Sequence, residues 1–148
     1  MEIERKWLVD KDKCPILSEY SKVLRIVQGY LNDSSDEWII RVRAIDNSEF
    51  ILELKSIGLL SREELKFCIS EDEYLDAIKQ CRNIVYKTRY IQSIDNYHYE
   101  VDVYDYHDFV TCEVEFSSEK EAKKFKAPEW CIKDVTYDPK YKNVNLIY

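Results

Sequence analysis

The sequence predicts a mainly β domain of the α+β class, and three features of the chain indicate it. Apolar and polar residues alternate with a period of two through eight segments, as strands with one packed face require. Two shorter stretches carry a serine followed by acidic residues, which is typical of helix starts. The chain has 148 residues, of which 45% are hydrophobic, so we expect a single domain over 1–148 with its own core.

The elements can be assigned in chain order. Helices are predicted over 71–81, capped by Ser70, and over 119–125, capped by Ser117 or Ser118, and a third is expected over 12–20. With only 2 Gly and 3 Pro, the chain has no flexible linker that would divide it. The eight predicted strands cover 2–9, 23–31, 38–44, 50–55, 61–69, 85–91, 98–104 and 110–116.

Composition excludes several classes of protein. Lys and Arg total 22 against 29 for Asp and Glu, a net charge of −7, which argues against a nucleic-acid binder because such proteins neutralise phosphates. The five cysteines form no Cys-x-x-Cys pair, so reduced thiols and a cytoplasmic location are expected. The charged N-terminus does not resemble a signal peptide, and no apolar run is long enough to cross a membrane.

The charges of the strands share an unusual arrangement. One face of nearly every strand carries full charges, eight of each sign. This face is either a solvated outer surface over an apolar core or the lining of a wet cavity inside an eight-stranded barrel, which is large enough for one small ligand. The alternation alone does not decide between the two. The residues are Glu2, Glu4, Lys6, Arg41, Arg43, Glu53, Lys55, Arg62, Glu64, Lys66, Lys87, Arg89, Glu100, Asp102, Glu113 and Glu115.

A resemblance to a known family decides in favour of the cavity. The chain begins with an E-x-E-x-K segment at 2–6 and continues with Gln-Gly-Tyr-Leu at 28–31, Arg-Val-Arg at 41–43, Lys-Thr-Arg-Tyr at 87–90 and Glu-Val-Glu-Phe at 113–116. In this order the segments resemble the CYTH superfamily, the triphosphate tunnel metalloenzymes, over essentially the whole chain. The similarity is greatest to short bacterial members that act on inorganic tripolyphosphate. It implies an eight-stranded antiparallel closed β-barrel, a tunnel, with a few flanking helices.

The resemblance implies that the basic residues of the tunnel bind substrate. Arginine grips phosphate oxygens through a planar fork, and lysine supplies a compact point charge. Some of these side chains could instead form salt bridges inside the tunnel without touching a ligand. The implied substrate-binding residues are Arg41, Arg43, Lys55, Arg62, Lys87, Arg89 and Lys142.

The resemblance also implies a divalent metal. Carboxylate oxygens shared with phosphates suit one or two Mg²⁺ or Mn²⁺ ions. The implied ligands are Glu2 and Glu4 on the first strand together with Glu113 and Glu115, with Glu115 the more direct of the last two. The remaining acids of the tunnel, Glu64, Glu100 and Asp102, are expected to support its cations.

Two residues are implied to be catalytic. In the family the lysine of the first segment, here Lys6, pairs with the tyrosine of Gln-Gly-Tyr-Leu, here Tyr30. An adjacent ammonium would lower the pKa of a phenol, which is about 10 when unperturbed. The two residues could instead position water or the leaving group, and Tyr30 could simply be a packed barrel tyrosine.

The sequence thus predicts metal-dependent hydrolysis of a small triphosphate, with inorganic tripolyphosphate cleaved to pyrophosphate and phosphate. A class IV adenylyl cyclase, a thiamine triphosphatase and a non-catalytic polyphosphate-binding module are the alternatives. The expected partner is the small-molecule substrate, with no nucleic acid or membrane, and a homodimer is left open. Glu53 and Lys66 depart from the family pattern, and they either compensate each other across neighbouring strands or lie at a tunnel mouth.

Overall fold

The computed structural model describes residues 1–33 and 35–146. Their strands form an antiparallel sheet, and two α-helices and two short 3₁₀ helices accompany it. No helix of these residues is long and apolar enough to cross a membrane. The elements are β1 Glu2–Val9, β2 Lys22–Tyr30, β3 Trp38–Ile45, β4 Glu49–Ser56, β5 Ser61–Arg62, β6 Glu64–Cys68, α1 Glu71–Ile78, β7 Asn83–Ile94, β8 Tyr97–Tyr104, β9 Val110–Glu115, α2 Glu119–Lys124 and β10 Cys131–Asp134, with 3₁₀ helices at Pro139–Tyr141 and Asn143–Asn145.

The sheet curls into a barrel that is joined at β1. Neighbouring strands follow the order β1–β9–β8–β7–β2–β3–β4–β6. The short strand β5 precedes β6 with only Glu63 between them, and it pairs back to β1, with Glu2 opposite Arg62. If β5 and β6 are counted as one strand, the barrel has the predicted eight strands. The predicted fold class is therefore confirmed. The extra strand β10, which the alternation does not predict, pairs with Trp7–Val9 of β1.

The helices begin where their caps predict. The Ser70 hydroxyl accepts a hydrogen bond from the Glu73 amide, and the Glu73 carboxylate accepts one from the Ser70 amide, which forms a capping box. Ser118 caps α2, whose C-terminal end is held by Arg5: Nη1 donates to the carbonyls of Ala122 and Phe125 at 2.8 and 2.9 Å. The last carbonyls of a short helix thereby gain a cationic partner.

The prediction of a helix over 12–20 is wrong. This segment folds as consecutive turns instead. Pro15 lacks an amide donor and disfavours helical geometry in the residue before it, Cys14. The Ser21 hydroxyl donates to the carbonyl of Ile16 at 2.6 Å, and the Ile16 side chain is fully buried under the barrel wall. Apolar anchoring of a loop therefore produced the pattern that suggested a helix.

The apolar face of the sheet lies on the outside of the barrel. Trp7 and Val114 pack beneath α2 and the segment that follows it, and Val42 and Phe50 pack beneath α1. The opposite face points into the barrel and carries the charges. The segment after β10 crosses one end of the barrel, where Val144 joins a cluster with other buried residues. The fold therefore encloses a charged cavity with one end covered by the C-terminal segment.

Candidate active site

The interior of the barrel is a cavity of about 320 Å³. Every residue that the sequence singled out as a site residue lines it, with the exception of Asp102, which lies buried in the wall. Side chains that alternate along a strand point to one side of the sheet, so each charged face contributes two or three groups to the interior. The lining residues from that set are Glu2, Glu4, Lys6, Tyr30, Arg41, Arg43, Lys55, Arg62, Glu64, Lys87, Arg89, Glu100, Glu113, Glu115 and Lys142.

Arg41 and Arg43 form a guanidinium pair on β3. Arg41 Nη2 donates to the Glu53 carboxylate at 2.7 Å, and Arg43 Nη1 lies 3.7 Å from the other oxygen of the same carboxylate. Arg43 Nε also donates to the side-chain oxygen of Gln28 at 3.0 Å. Among the hydrogen bonds of the described residues, none satisfies Arg41 Nε, which is buried. The pair is thus held in place by Glu53 and Gln28, with one buried donor of Arg41 left without an acceptor among the bonds of the described residues.

Lys87 and Arg89 form a second cationic group on β7. Arg89 grips Asp102 with two parallel hydrogen bonds of 2.7 and 2.9 Å, and Lys87 Nζ lies 2.8 Å from the same carboxylate. Arg89 Nη1 reaches Glu100 at 3.1 Å. Burial opposes the charged form of Asp102, but Arg89 and Lys87 hold the pKa of its carboxyl well below the ordinary value. Asp102 therefore anchors the two cations.

Four of the acids that line the cavity lie on the paired strands β1 and β9. The β1–β9 pairing sets Glu4 opposite Glu115 and Lys6 opposite Glu113. Burial, together with the neighbouring Glu113 and Glu2, raises the pKa of Glu4 to about 8. The protonated form of Glu4 is therefore favoured, and a cation at this position would favour its ionised form.

The carboxylates of this group are engaged by basic side chains. Arg62 donates to Glu2 at 3.0 Å and to Glu4 at 3.4 Å, and Lys55 Nζ lies 3.2 Å from Glu2. Across the described part of the chain, no group of three or more Asp, Glu, His or Cys side chains converges closely enough to hold a metal ion. The oxygen donors nevertheless are those that hard divalent cations prefer, so the residue types fit such an ion.

Lys6 and Tyr30 both line the cavity, but they do not pair as the resemblance implies. Lys6 Nζ donates to the carbonyl of Tyr141 at 2.7 Å and lies 3.6 Å from Glu113. The Tyr30 hydroxyl accepts a hydrogen bond from Gln28 at 2.8 Å. No hydrogen bond joins Lys6 to Tyr30 among those found in residues 1–33 and 35–146. Lys6 instead acts electrostatically on the phenol of Tyr104. Burial raises the pKa of this phenol to about 12, and the charge of Lys6 opposes the rise.

The C-terminal segment contributes side chains to the covered end of the cavity. Lys142 Nζ donates to the carbonyl of Gly58 at 2.8 Å. Asn143 accepts hydrogen bonds from Lys87 at 2.8 Å and Gln28 at 3.1 Å, and donates to the Tyr104 hydroxyl at 3.0 Å. The sequence alone predicts no role for Gln28 or Asn143. Gln28 lies in the Gln-Gly-Tyr-Leu segment and Asn143 follows Lys142, and these positions were the only signal, because a buried amide leaves no trace in the alternation.

The expected compensation between Glu53 and Lys66 is wrong in its partners. The two residues lie directly opposite each other on β4 and β6, as predicted. The Lys66 side chain, however, is 58% exposed and lies 3.0 Å from Glu64, while Glu53 is buried against Arg41. Lys66 is at the tunnel mouth, which was the alternative expectation. The arginines are the stronger partners because they are enclosed with Glu53 and the lysine is hydrated.

Proteins with this architecture are known. The inorganic triphosphatase of Acetivibrio thermocellus is 28% identical over 150 residues, covering 99% of this chain and 92% of that protein. The crystal structure of the inorganic triphosphatase NE1496 superposes with a TM-score of 0.69 at 31% identity, covering 97% of this chain and 94% of that one. The PH1012 protein of Pyrococcus horikoshii gives a TM-score of 0.65 at 25% identity, covering 84% of each chain. No family model matches the chain.

The fold and the charged interior define a triphosphate-tunnel type of protein. With a relative of known structure 31% identical over nearly the whole length, the chain belongs to the CYTH superfamily of triphosphate tunnel metalloenzymes.

Proposed function

We propose that the protein is a divalent-metal-dependent inorganic triphosphatase that hydrolyses tripolyphosphate to pyrophosphate and phosphate. The observation that carries this proposal is that one cavity is lined both by basic side chains, most of them on β3, β4 and β7, and by the carboxylates of β1 and β9. A polyphosphate needs cations to neutralise it, and the ions that accompany it need carboxylates. The likeness to two proteins named inorganic triphosphatase supports the same chemistry.

The basic residues would bind the phosphate chain. Arg41 and Arg43 would grip phosphate oxygens through their forks. Lys87 and Arg89, anchored on Asp102, would add charge without needing to reorganise. Arg62 and Lys55, which hold Glu2, would turn to the substrate as the acids take up a cation. Lys142, which lies on the C-terminal segment, would also bind the phosphate chain.

The acidic residues would hold the metal. Glu2, Glu4, Glu113 and Glu115 are the candidate ligands for Mg²⁺ or Mn²⁺, and Glu64 and Glu100 are candidate charge partners nearby. When bound, the ion would offset phosphate charge and lower the pKa of a coordinated water. The strand register supports this assignment, because the β1–β9 pairing sets Glu4 opposite Glu115 and Lys6 opposite Glu113.

Lys6 and Tyr30 would act on the reacting end of the substrate. Lys6 is fixed by the carbonyl of Tyr141 beside Glu113, so its ammonium would stabilise charge on a phosphate oxygen. The Tyr30 hydroxyl, held by Gln28, faces the cavity and would orient a water or the leaving group. Because no hydrogen bond joins the two residues among those of the described part of the chain, they would act separately.

The size of the cavity favours the smallest substrate. Ligand sites span about 300–1,000 Å³, and this cavity, at about 320 Å³, is at the small end. Tripolyphosphate brings no nucleoside or thiamine group that needs further room. This observation favours tripolyphosphate over the substrates of the cyclase and thiamine triphosphatase alternatives.

Phosphate release from a panel of substrates tests the proposal. Tripolyphosphate, ATP, thiamine triphosphate and pyrophosphate are each incubated with Mg²⁺, Mn²⁺ or EDTA. We expect turnover of tripolyphosphate with metal and none in EDTA. Tight binding of tripolyphosphate without turnover under every condition would instead identify a polyphosphate-binding module, and formation of cyclic AMP would identify a cyclase.

A further inference from the structure

Glu53 is an acid that faces the two arginines of β3. Its side chain is 1% exposed and lies between two guanidinium groups, 2.7 Å from Arg41 Nη2 and 3.7 Å from Arg43 Nη1. One negative charge therefore faces both arginines that would bind substrate phosphate. No other acid lies opposite Arg41 in the β3–β4 pairing.

The charge of Glu53 acts on these arginines rather than on the lysine across the next strand. Lys66 lies opposite Glu53 in the β4–β6 pairing, yet it is mostly exposed and pairs with Glu64. Although burial opposes ionisation of Glu53, Arg41 and Arg43 hold the pKa of its carboxyl well below the ordinary value. Glu53 is therefore an anion whose partners are the two arginines.

The fit between this carboxylate and the arginines is incomplete. Arg41 Nε is buried without an acceptor, and Glu53 Oε1 is buried without a hydrogen-bond donor, among the bonds found in the described residues. A carboxylate has two oxygens on one carbon, whereas a phosphate group presents more oxygens and more charge to the same donors. A phosphate would therefore satisfy the arginines better than Glu53 does.

We propose that Glu53 sets the affinity of the cavity for polyphosphates: it occupies the Arg41–Arg43 pair in place of a phosphate group and thereby weakens their binding. This inference rests on the proposed function. Without substrate, Glu53 keeps two buried like charges together in a fixed arrangement. With substrate, it repels the bound anion, so that short polyphosphate products such as pyrophosphate leave more easily.

Glu53→Gln tests the inference because glutamine keeps the size of the side chain and removes its charge. We expect the KM for tripolyphosphate and the inhibition constant for pyrophosphate each to fall about tenfold, the scale of one charge-assisted hydrogen bond. Glu49→Gln, the same change at an exposed position of β4, is the matched control and should alter neither constant. Unchanged or raised constants in Glu53→Gln would overturn the inference.

A second background separates competition for the arginines from a general effect of charge. In an Arg41→Gln variant, Glu53→Gln should lower the KM by much less than in the wild-type chain, because the contested donor is gone. An equal fall of the KM in both backgrounds would show that Glu53 does not act through Arg41, and the inference would fail.

Thermal unfolding with and without tripolyphosphate is the control that shows whether each variant is folded. Without ligand, Glu53→Gln should unfold at a lower temperature than the wild type. Tripolyphosphate should raise the unfolding temperature of the variant by more than it raises that of the wild type. If it does not fold, Glu53→Asp, which withdraws the carboxylate by one methylene, should show a smaller fall of the KM, and an unchanged KM there would overturn the inference.

Calorimetric binding of tripolyphosphate keeps this test distinct from that of the proposed function. A wild-type chain that binds without turnover contradicts the triphosphatase, yet the affinities of the two chains still decide the role of Glu53. A wild-type chain that hydrolyses tripolyphosphate, with a Glu53→Gln variant of equal affinity, contradicts the role of Glu53 alone. A wild-type chain that neither binds nor hydrolyses it overturns both.

Discussion

The side-chain oxygen of Asn143 accepts a hydrogen bond of 2.8 Å from Lys87 Nζ, and this bond ties the C-terminal segment to the interior of the barrel. The same asparagine contacts Gln28, which in turn holds Arg43. One neutral residue thus connects the segment that covers the cavity with the cations on β3 and β7. The conformation of the C-terminal segment at the covered end and the positions of the basic side chains therefore depend on each other.

Asn143→Ala should weaken both the fold and substrate binding. The change leaves buried donors of Lys87 and Gln28 without their acceptor, which costs about 1–3 kcal/mol of unfolding free energy per unsatisfied group. We expect a raised KM for tripolyphosphate and a lower urea midpoint. Asn145→Ala, which removes one surface bond to the Pro139 carbonyl, is the control. Equal effects of the two variants would show that Asn143 is not a link to the cations.

Glu4→Gln should separate activity from stability. If Glu4 is a metal ligand, turnover of tripolyphosphate falls by orders of magnitude, because one charged oxygen ligand is lost. The fold without metal should be as stable as the wild type or more so, since burial and the neighbouring acids, which raise the pKa of Glu4 to about 8, disfavour a charge that glutamine does not carry. Turnover and thermal unfolding in EDTA measure the two effects. Glu129→Gln, at an exposed position, is the control, and wild-type turnover in Glu4→Gln would contradict the metal assignment.

Arg89→Lys should cost more than the same change on the surface. Arg89 grips the buried Asp102 with a fork that lysine cannot reproduce, so we expect a loss of about 1–3 kcal/mol in unfolding free energy. Arg25 grips Asp105 in a similar way outside the barrel, with one bond of 2.7 Å, and Arg25→Lys should cost less than about 1 kcal/mol. Urea unfolding of both variants provides the comparison. Losses of equal size would mean that the interior pair is as well hydrated as the surface pair.

Gly29→Ala should reveal why the Gln-Gly-Tyr segment contains glycine. A Cβ at this position would lie 2.6 Å from Cys81 Sγ and 2.6 Å from Ile78 Cδ1, on the outer face where the end of α1 packs. Overpacking of this kind costs about 1–3 kcal/mol of unfolding free energy. Gly29→Ala/Cys81→Ala should regain part of the loss. No regain would mean that the backbone, rather than this contact, requires the glycine.

Much of the fold could be predicted because strand formation and capping are local. The alternation located the eight barrel strands to within a few residues, and Ser70 and Ser118 marked the helix starts. The predicted helix ends were too late, at 81 and 125 rather than Ile78 and Lys124. The strand Cys131–Asp134 was missed because it is short and mostly exposed, so it has no alternation to detect.

The sequence by itself determined that this chain forms charged strands, and its family-like segments determined that the charges face inward. Only the tertiary structure decided which charge meets which. Glu53 and Lys66 are opposite in register but bind different partners, and Lys6 lies by Tyr104 rather than paired with Tyr30. Side-chain direction follows from the period of a strand, whereas the partner of a buried charge depends on distance and dewetting across several strands, which the closed barrel alone defines.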